Sequence, residues 1–184
     1  MVSSKMKGKE WYPIVTPAFF GDFTVGETMA MDPQKIVGRV VEASLTDLTG
    51  DTNKYYFKFF FKISEVKDKK AQTIFMGHDC TRDFLARIVR RRSNRIDMNI
   101  IVDLKDAKMR VKSVAVSNRP VSKAIETKVR HNINQVITES MNNMTLEEFL
   151  MQMVEGKLQQ KIRKTVSKVY PMKQFEFRKT EMIR

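Results

Sequence analysis

At 184 residues, with 34 Lys and Arg against 21 Asp and Glu, the chain carries a formal charge of +13 and has the length of one domain or of a domain with a small appendage, not of a multidomain enzyme. A single cysteine, Cys80, excludes an internal disulfide framework and a cysteine-based zinc site and fits a reducing, cytosolic address, and no apolar run approaches the ~20 residues of a bilayer span. Charge of this sign favours a polyanionic partner, nucleic acid before anionic membrane, because each neutralised phosphate releases condensed counterions. It is unevenly spread. Residues 10–51 hold seven acidic against two basic side chains, a net −5, so this part is expected to face protein or solvent.

In chain order, residues 1–10 lack the apolar stretch of a signal peptide and read as a basic arm carrying Lys5, Lys7 and Lys9, either solvated and disordered or laid on RNA. Trp11–Pro17 is extended, because its two prolines hold their predecessors in β or polyproline conformations, and reads as an edge or wrapping segment. Phe19–Thr28 reads as an irregular loop pinned by aromatics, Ile36–Leu45 as a strand and Asp47–Asn53 as a loop. Tyr55–Ile63 alternates strictly: Tyr55, Phe57, Phe59, Phe61 and Ile63 share one face, Lys58 and Lys62 the other. Lys67, Asp68, Lys69 and Lys70 then form the basic tip of a hairpin into Ala71–Gly77.

Between positions 82 and 95 fall six arginines, opposed only by Asp83, a formal +6 − 1 = +5. Phe84, Leu85, Ile88 and Val89 recur at helical spacing, which predicts a helix with that stripe buried, Arg87, Arg90 and Arg91 on its other side, and Thr81 as N-cap. Ile96–Leu104 alternates as a half-buried strand. In Met109–Val116 the apolar parity changes from odd to even positions, which predicts a bulge near Ser113. Helical periodicity takes over after Pro120 (Val121, Ile125, Val129, Ile133, Val136, Ile137), with Glu126 placed to pair with Arg130. Thr145–Glu148 is a capping box opening a further helix, Gly156 a break, and Tyr170–Pro171 an end, before a short strand with Phe175 and Phe177. The expected fold is α+β in a single domain over 11–184: a small antiparallel β-barrel-like core at about 11–118 with the basic helix inserted, helices packed on it at about 119–171, and a final strand at about 173–179.

Arg90, Arg91, Arg92 and Arg95 are the strongest candidates for polyanion contact, since such a run repels itself unless an anion relieves it and the guanidinium fork suits phosphate. Arg87, Lys58, Lys62, Lys69, Lys70, Arg110 and Lys112 extend the candidate surface. Phe57, Phe59 and Phe61 suit core packing better than base stacking, for which Tyr56 and Phe60 on the lysine face are better placed. His78-Asp79-Cys80 is the one cluster with catalytic elements. Sequence neighbours on a turn rarely face one another, so it reads as a turn with a buried thiol. No metal-ligand spacing or phosphate loop is present, and no cofactor is expected.

Trp11-Tyr12, Gly38–Leu48, Phe75–Gly77, Thr81–Asp83, Val89–Arg91 and Tyr170-Pro171 together resemble, over nearly the whole chain, the archaeal and eukaryotic small-subunit ribosomal protein family called S-one-e, or S-three-Ae in older usage, with Gly26–Thr28 and Thr49–Asp51 closer to the archaeal branch. The resemblance implies a structural, non-enzymatic constituent of the small ribosomal subunit in the cytoplasm. It would sit on the platform near the mRNA exit and bind ribosomal RNA and neighbouring ribosomal proteins, with mRNA near the exit as a further contact and no membrane. A free RNA-binding or regulatory module outside the ribosome is the alternative reading, and a nucleic-acid enzyme using His78 or Cys80 a third.

Overall fold

The structure, a computed structural model, describes residues 8–183, with the backbone alone at Asn53. Lys5 and Lys7 lie outside the described residues. The fold is α+β, with eight strands and five α-helices among those residues, and it divides into two compact units, Met1–Gly77 and His78–Arg184.

The first unit contains β1 (Glu10–Val15), β2 (Thr24–Ala30), β3 (Val40–Ser44), α1 (Leu45–Thr49), β4 (Phe57–Lys67) and most of β5 (Lys70–Cys80). β1 is not an edge: it pairs antiparallel with β2 along its length and parallel with β5 at Ile14 and Val15. That parallel pairing falls C-terminal to Pro13, which has no N–H to contribute. The segment expected to be a loop contains β2, whose half-exposed residues leave no alternation to read. Leu45 and Leu48 are buried by α1, a short helix capped by Ser44, where the sequence suggested the end of a strand and a loop. The alternation of β4 holds from Phe57 to Ile63, each odd residue at most 1% exposed, while Tyr55 precedes the strand and is exposed. Phe20 closes over this face, its ring centroid 5.3 Å from Phe59 and 5.4 Å from Phe61. The β4–β5 hairpin turns on Asp68 and Lys69, both at positive φ (49° and 58°), the conformation that matches the twist of a two-residue hairpin.

In the second unit the end of β5 is followed by α2 (Arg82–Ile88), β6 (Arg95–Asp103), β7 (Lys108–Ser117), α3 (Lys123–Met141), α4 (Leu146–Glu155), α5 (Lys157–Val166) and β8 (Met172–Ile183). β7 is central, paired antiparallel with β6 and with β8, so the final strand is longer than expected and forms a major part of the sheet. α3 packs on β6 and α5, α5 on β8, and α4 on α5. The capping box at Thr145 and Glu148 is formed, and Gly156 at φ 81° ends α4 and opens α5. The expected barrel-like core is not a closed barrel: among the described residues β2, β3 and β6 each pair with one strand and leave the path of strands open.

The bulge lies where the parity of β7 changes, but on the neighbouring strand. β7 runs in unbroken register with β6, whereas against β8 the pairing passes from Lys112↔Lys179 to Ser113↔Phe177 and leaves Arg178 as the extra residue. β7 changes parity because every residue from Ser113 to Ser117 is buried, so both of its faces are covered there.

Candidate nucleic-acid interface

The arginine segment is a short helix followed by a turn. α2 stops at Ile88, Val89 is extended, and Thr81 makes no side-chain cap. The Ser93 N–H donates to the Arg90 carbonyl at 3.2 Å and its hydroxyl to the same oxygen at 2.6 Å, closing a turn that places Arg92 at φ 65°. Arg90, Arg91 and Arg92 are exposed, and no side chain of the three has an ion-pair or hydrogen-bond partner among the described residues. Arg87 projects from the last turn of α2, also exposed. Arg95 already opens β6 and is forked onto Asp97 Oδ1 at 2.8 and 3.1 Å.

This turn is tied down. The Asn94 N–H donates to Ser117 Oγ at 2.9 Å, the Ser117 N–H returns to the Asn94 carbonyl at 3.0 Å, and Asn94 Nδ2 donates to the Val121 carbonyl at 3.2 Å. The Ser117 hydroxyl donates to the Arg119 carbonyl at 2.7 Å, and the Tyr170 hydroxyl to Pro120 at 3.1 Å. The arginine turn and the loop carrying Arg119 are thus joined at one end of the β6–β7 pair, where Arg90, Arg91, Arg92 and Arg119 are all exposed. Arg119, which sequence reasoning missed, is isolated in the sequence; the β6–β7 pairing and the Asn94 hydrogen bonds to Ser117 and Val121 bring it to the others.

The remaining candidates divide between the units. In the first, Lys9 and Lys70 are exposed, Lys62 is half-buried, Lys58 is paired with Glu42 at 2.6 Å and Lys69 with Glu10 at 3.0 Å, whose hydrogen bond raises the Lys69 ammonium. The acidic character of residues 10–51 is therefore neutralised in part by lysines from β4 and the hairpin tip. Over residues 1–77 the chain holds 11 basic and 9 acidic side chains, a net +2; over 78–184 it holds 23 and 12, a net +11. In the second unit Arg110, Lys112 and Lys179 share Glu181 at 3.9, 3.5 and 2.8 Å, and the hydrogen bond from Lys179 leads in holding that carboxyl below its usual range. Phe57, Phe59 and Phe61 are core residues, and Tyr56 and Phe60 are half-buried.

His78-Asp79-Cys80 is not a turn but the end of β5, and His78 is completely buried. Its N–H donates to Thr180 Oγ1 at 3.2 Å; the ring is fixed by Nδ1 at 2.7 Å from that hydroxyl and Nε2 at 3.0 Å from the Phe177 carbonyl. A carbonyl can only accept, so Nε2 carries the hydrogen and Nδ1 accepts from Thr180. Burial lowers the imidazole to about 4, and burial pushes the Cys80 thiol up, with Sγ 3.1 Å from the Phe177 carbonyl. Neither group is poised for chemistry: the base is neutral and saturated, and the thiol is held protonated. Among the described residues no cluster of His, Cys, Asp or Glu could hold a metal ion, and no helix is long and apolar enough to cross a membrane.

The model of the Ribosomal S3Ae family matches residues 1–184, the whole chain. The chain belongs to the Ribosomal S3Ae family. Among relatives, a protein named small ribosomal subunit protein eS1 from Desulfurococcus amylolyticus (strain DSM 18924 / JCM 16383 / VKM B-2413 / 1221n) is 33% identical over all of this chain and 86% of its own length. Its namesake from Saccharolobus islandicus (strain L.S.2.15 / Lassen #1) is also 33% identical, over all of this chain and 88% of its own length. The resemblance read from Trp11-Tyr12, Thr81–Asp83 and Val89–Arg91 is thus a full-length family relationship. Within this S3Ae chain, Thr81 to Asp83 open α2 and Val89 to Arg91 run into the arginine turn.

Proposed function

We propose that this S3Ae-family chain is a structural, non-enzymatic constituent of the cytoplasmic small ribosomal subunit that binds ribosomal RNA through its C-terminal unit. The observation that carries the reading is the full-length relationship to proteins named small ribosomal subunit protein eS1. The placement of +11 of the charge in residues 78–184, with Arg90, Arg91 and Arg92 exposed on a tethered turn, supports RNA as the partner of that unit. Arg87, Arg95, Arg110 and Lys112 extend the surface. Lys9, Lys58, Lys62, Lys69 and Lys70, with Lys5 and Lys7 of the arm, make a second, weaker set whose charge is partly taken by carboxylates; neighbouring ribosomal proteins are the partners proposed for that unit. A seat on the platform near the mRNA exit, with mRNA as a further contact, follows from the resemblance.

Sedimentation of tagged full-length chain with small subunits tests the reading. It is expected to remain in the small-subunit fraction through a high-salt wash. Recovery only as free protein or on unrelated RNA would replace it with an RNA-binding module outside the ribosome.

A further inference from the structure

Resting on that ribosomal reading, we propose that α5 is a second RNA-binding element, on which Lys157, Lys161, Lys164 and Lys168 form a track that carries the RNA backbone on from the arginine turn. Residues 156–175 are the longest part of the chain without a carboxylate, and they hold six cations, more net charge than the arginine segment itself. Two of the six are engaged elsewhere: Arg163 donates to the Lys173 carbonyl at 3.3 Å, and Lys173 is half-buried in β8. The other four recur at i, i+4, i+7 and i+11, which sets them in one stripe along the helix. All four are exposed, whereas Leu158, Ile162 and Val166 bury the opposite side. Lys168 lies in the turn that closes α5, its N–H on the Thr165 carbonyl at 3.3 Å, so the stripe extends about 16 Å.

Pairing and position set this stripe apart from an ordinary solvated face. Several exposed lysines elsewhere meet carboxylates: Lys58 with Glu42 at 2.6 Å, Lys108 with Asp103 at 3.1 Å, Lys123 with Glu126 at 3.3 Å. In the stripe Lys157 does so, with Glu155 at 2.6 Å, but the ammonium groups of Lys161, Lys164 and Lys168 have no ion pair or hydrogen bond among the described residues. Like charges one turn apart destabilise a helix, and Lys157 stands at its positive end, where no acidic residue and no side-chain cap offsets the dipole. An anion laid along the helix relieves both. The Lys168 end also abuts the loop of Arg119: the Asn118 N–H donates to the Pro171 carbonyl at 3.2 Å and the Tyr170 hydroxyl to the Pro120 carbonyl at 3.1 Å. Since Ser117 and Asn94 tie that loop to the arginine turn, exposed cations run from Arg90–Arg92 past Arg119 to Lys168 and along α5. Lys128 of α3, which lines a groove of about 440 Å³ with Val169, adds one more beside the same end. The stripe is an open surface and not a pocket for a single phosphate. Its length fits successive phosphates of one strand, contacts that hold a backbone without reading its bases. Continuity with the guanidinium groups, whose planar forks suit phosphate, favours RNA over an acidic segment of a neighbouring protein.

The test measures binding of the full chain to small-subunit ribosomal RNA over a range of salt, for wild type and two triple variants of equal charge. One combines Lys161→Gln, Lys164→Gln and Lys168→Gln; the control combines Lys35→Gln, Lys67→Gln and Lys108→Gln, exposed lysines away from α5. Glutamine matches lysine in helix propensity, so the α5 variant is expected to be as stable as wild type or more so without RNA. Its RNA binding is expected to weaken at least about tenfold at physiological salt and its salt slope to fall by about two to three units, against less than about one for the control. Losses no greater than the control's would show that net charge alone is sensed; the track is then overturned and the ribosomal reading stands. A free chain destabilised by the α5 changes would mean that these lysines serve the fold, and overturns it too. Unchanged RNA binding, with the α5 variant lost from the small-subunit fraction, would assign the stripe to an acidic protein neighbour and overturn the proposal. Wild-type chain with no affinity for this RNA would sink both readings.

Discussion

His78 shows what a buried titratable residue does in a protein with no reaction to catalyse. Its imidazole joins the end of β5 to β8 through Thr180 and Phe177, and burial holds it at about 4 where the unfolded chain has about 6.5. The unfolded state therefore takes up a proton first, and the stability tied to neutral His78 is complete above about 6.5 and lost as pH falls toward 4. Glu176 runs the other way. Burial raises it from 4.5 to about 7, against a hydrogen bond from Gln174 at 3.2 Å, so its contribution is present below about 4.5 and lost as pH rises through 7. Between about 4.5 and 6.5 the two slopes oppose each other. In Glu176→Gln, urea midpoints are expected to rise steadily from pH 4 to 6.5, and the variant to gain on wild type from pH 5 to pH 8 by at most about 3 kcal/mol. A variant that keeps the wild-type pH profile would show that the carboxyl is ionised in the fold.

At the scale of elements, the arginine turn decides more than the helix before it. Arg92 occupies the left-handed region, where a side chain with a Cβ costs on the order of 1 kcal/mol, yet an arginine is placed there. Arg92→Gly is expected to raise the stability of the free chain by up to about 1 kcal/mol while lowering the salt slope of RNA binding by about one unit. Unchanged RNA binding would mean that Arg92 faces away from the polymer. Sequence reading placed this segment well but gave it the wrong shape, because Phe84, Leu85, Ile88 and Val89 continue a helical spacing after hydrogen bonding has stopped at Ile88. Elements with one face buried and the other solvated, such as Phe57–Ile63 and Ile96–Val102, were legible because burial imposes a period of two. β2 was not, since it is half-exposed along its length, and neither was α1, too short to show a helical period. The bulge was located correctly but assigned to β7, because Arg178 and Lys179 give β8 no apolar residues by which to reveal it. Arg119 escaped for a different reason: a strand end brings it to its neighbours, and that leaves no mark in local sequence.

Over the whole molecule the separation of charge matters most. A formal +13 suggested a basic protein with an acidic segment. The fold turns this into one nearly balanced unit, whose lysines are partly spent on its own carboxylates, and one unit at +11. A chain built this way can present one unit to RNA and leave the other to protein neighbours, consistent with a family of ribosomal proteins. The central claim, that the C-terminal unit is the RNA-binding part, is tested most directly by mapping RNA–protein cross-links to individual residues in assembled small subunits. The account predicts that cross-links fall mainly between residues 78 and 184, with Arg90 to Arg92 among them. Cross-links confined to residues 8–77, or none to this chain in assembled subunits, would contradict it.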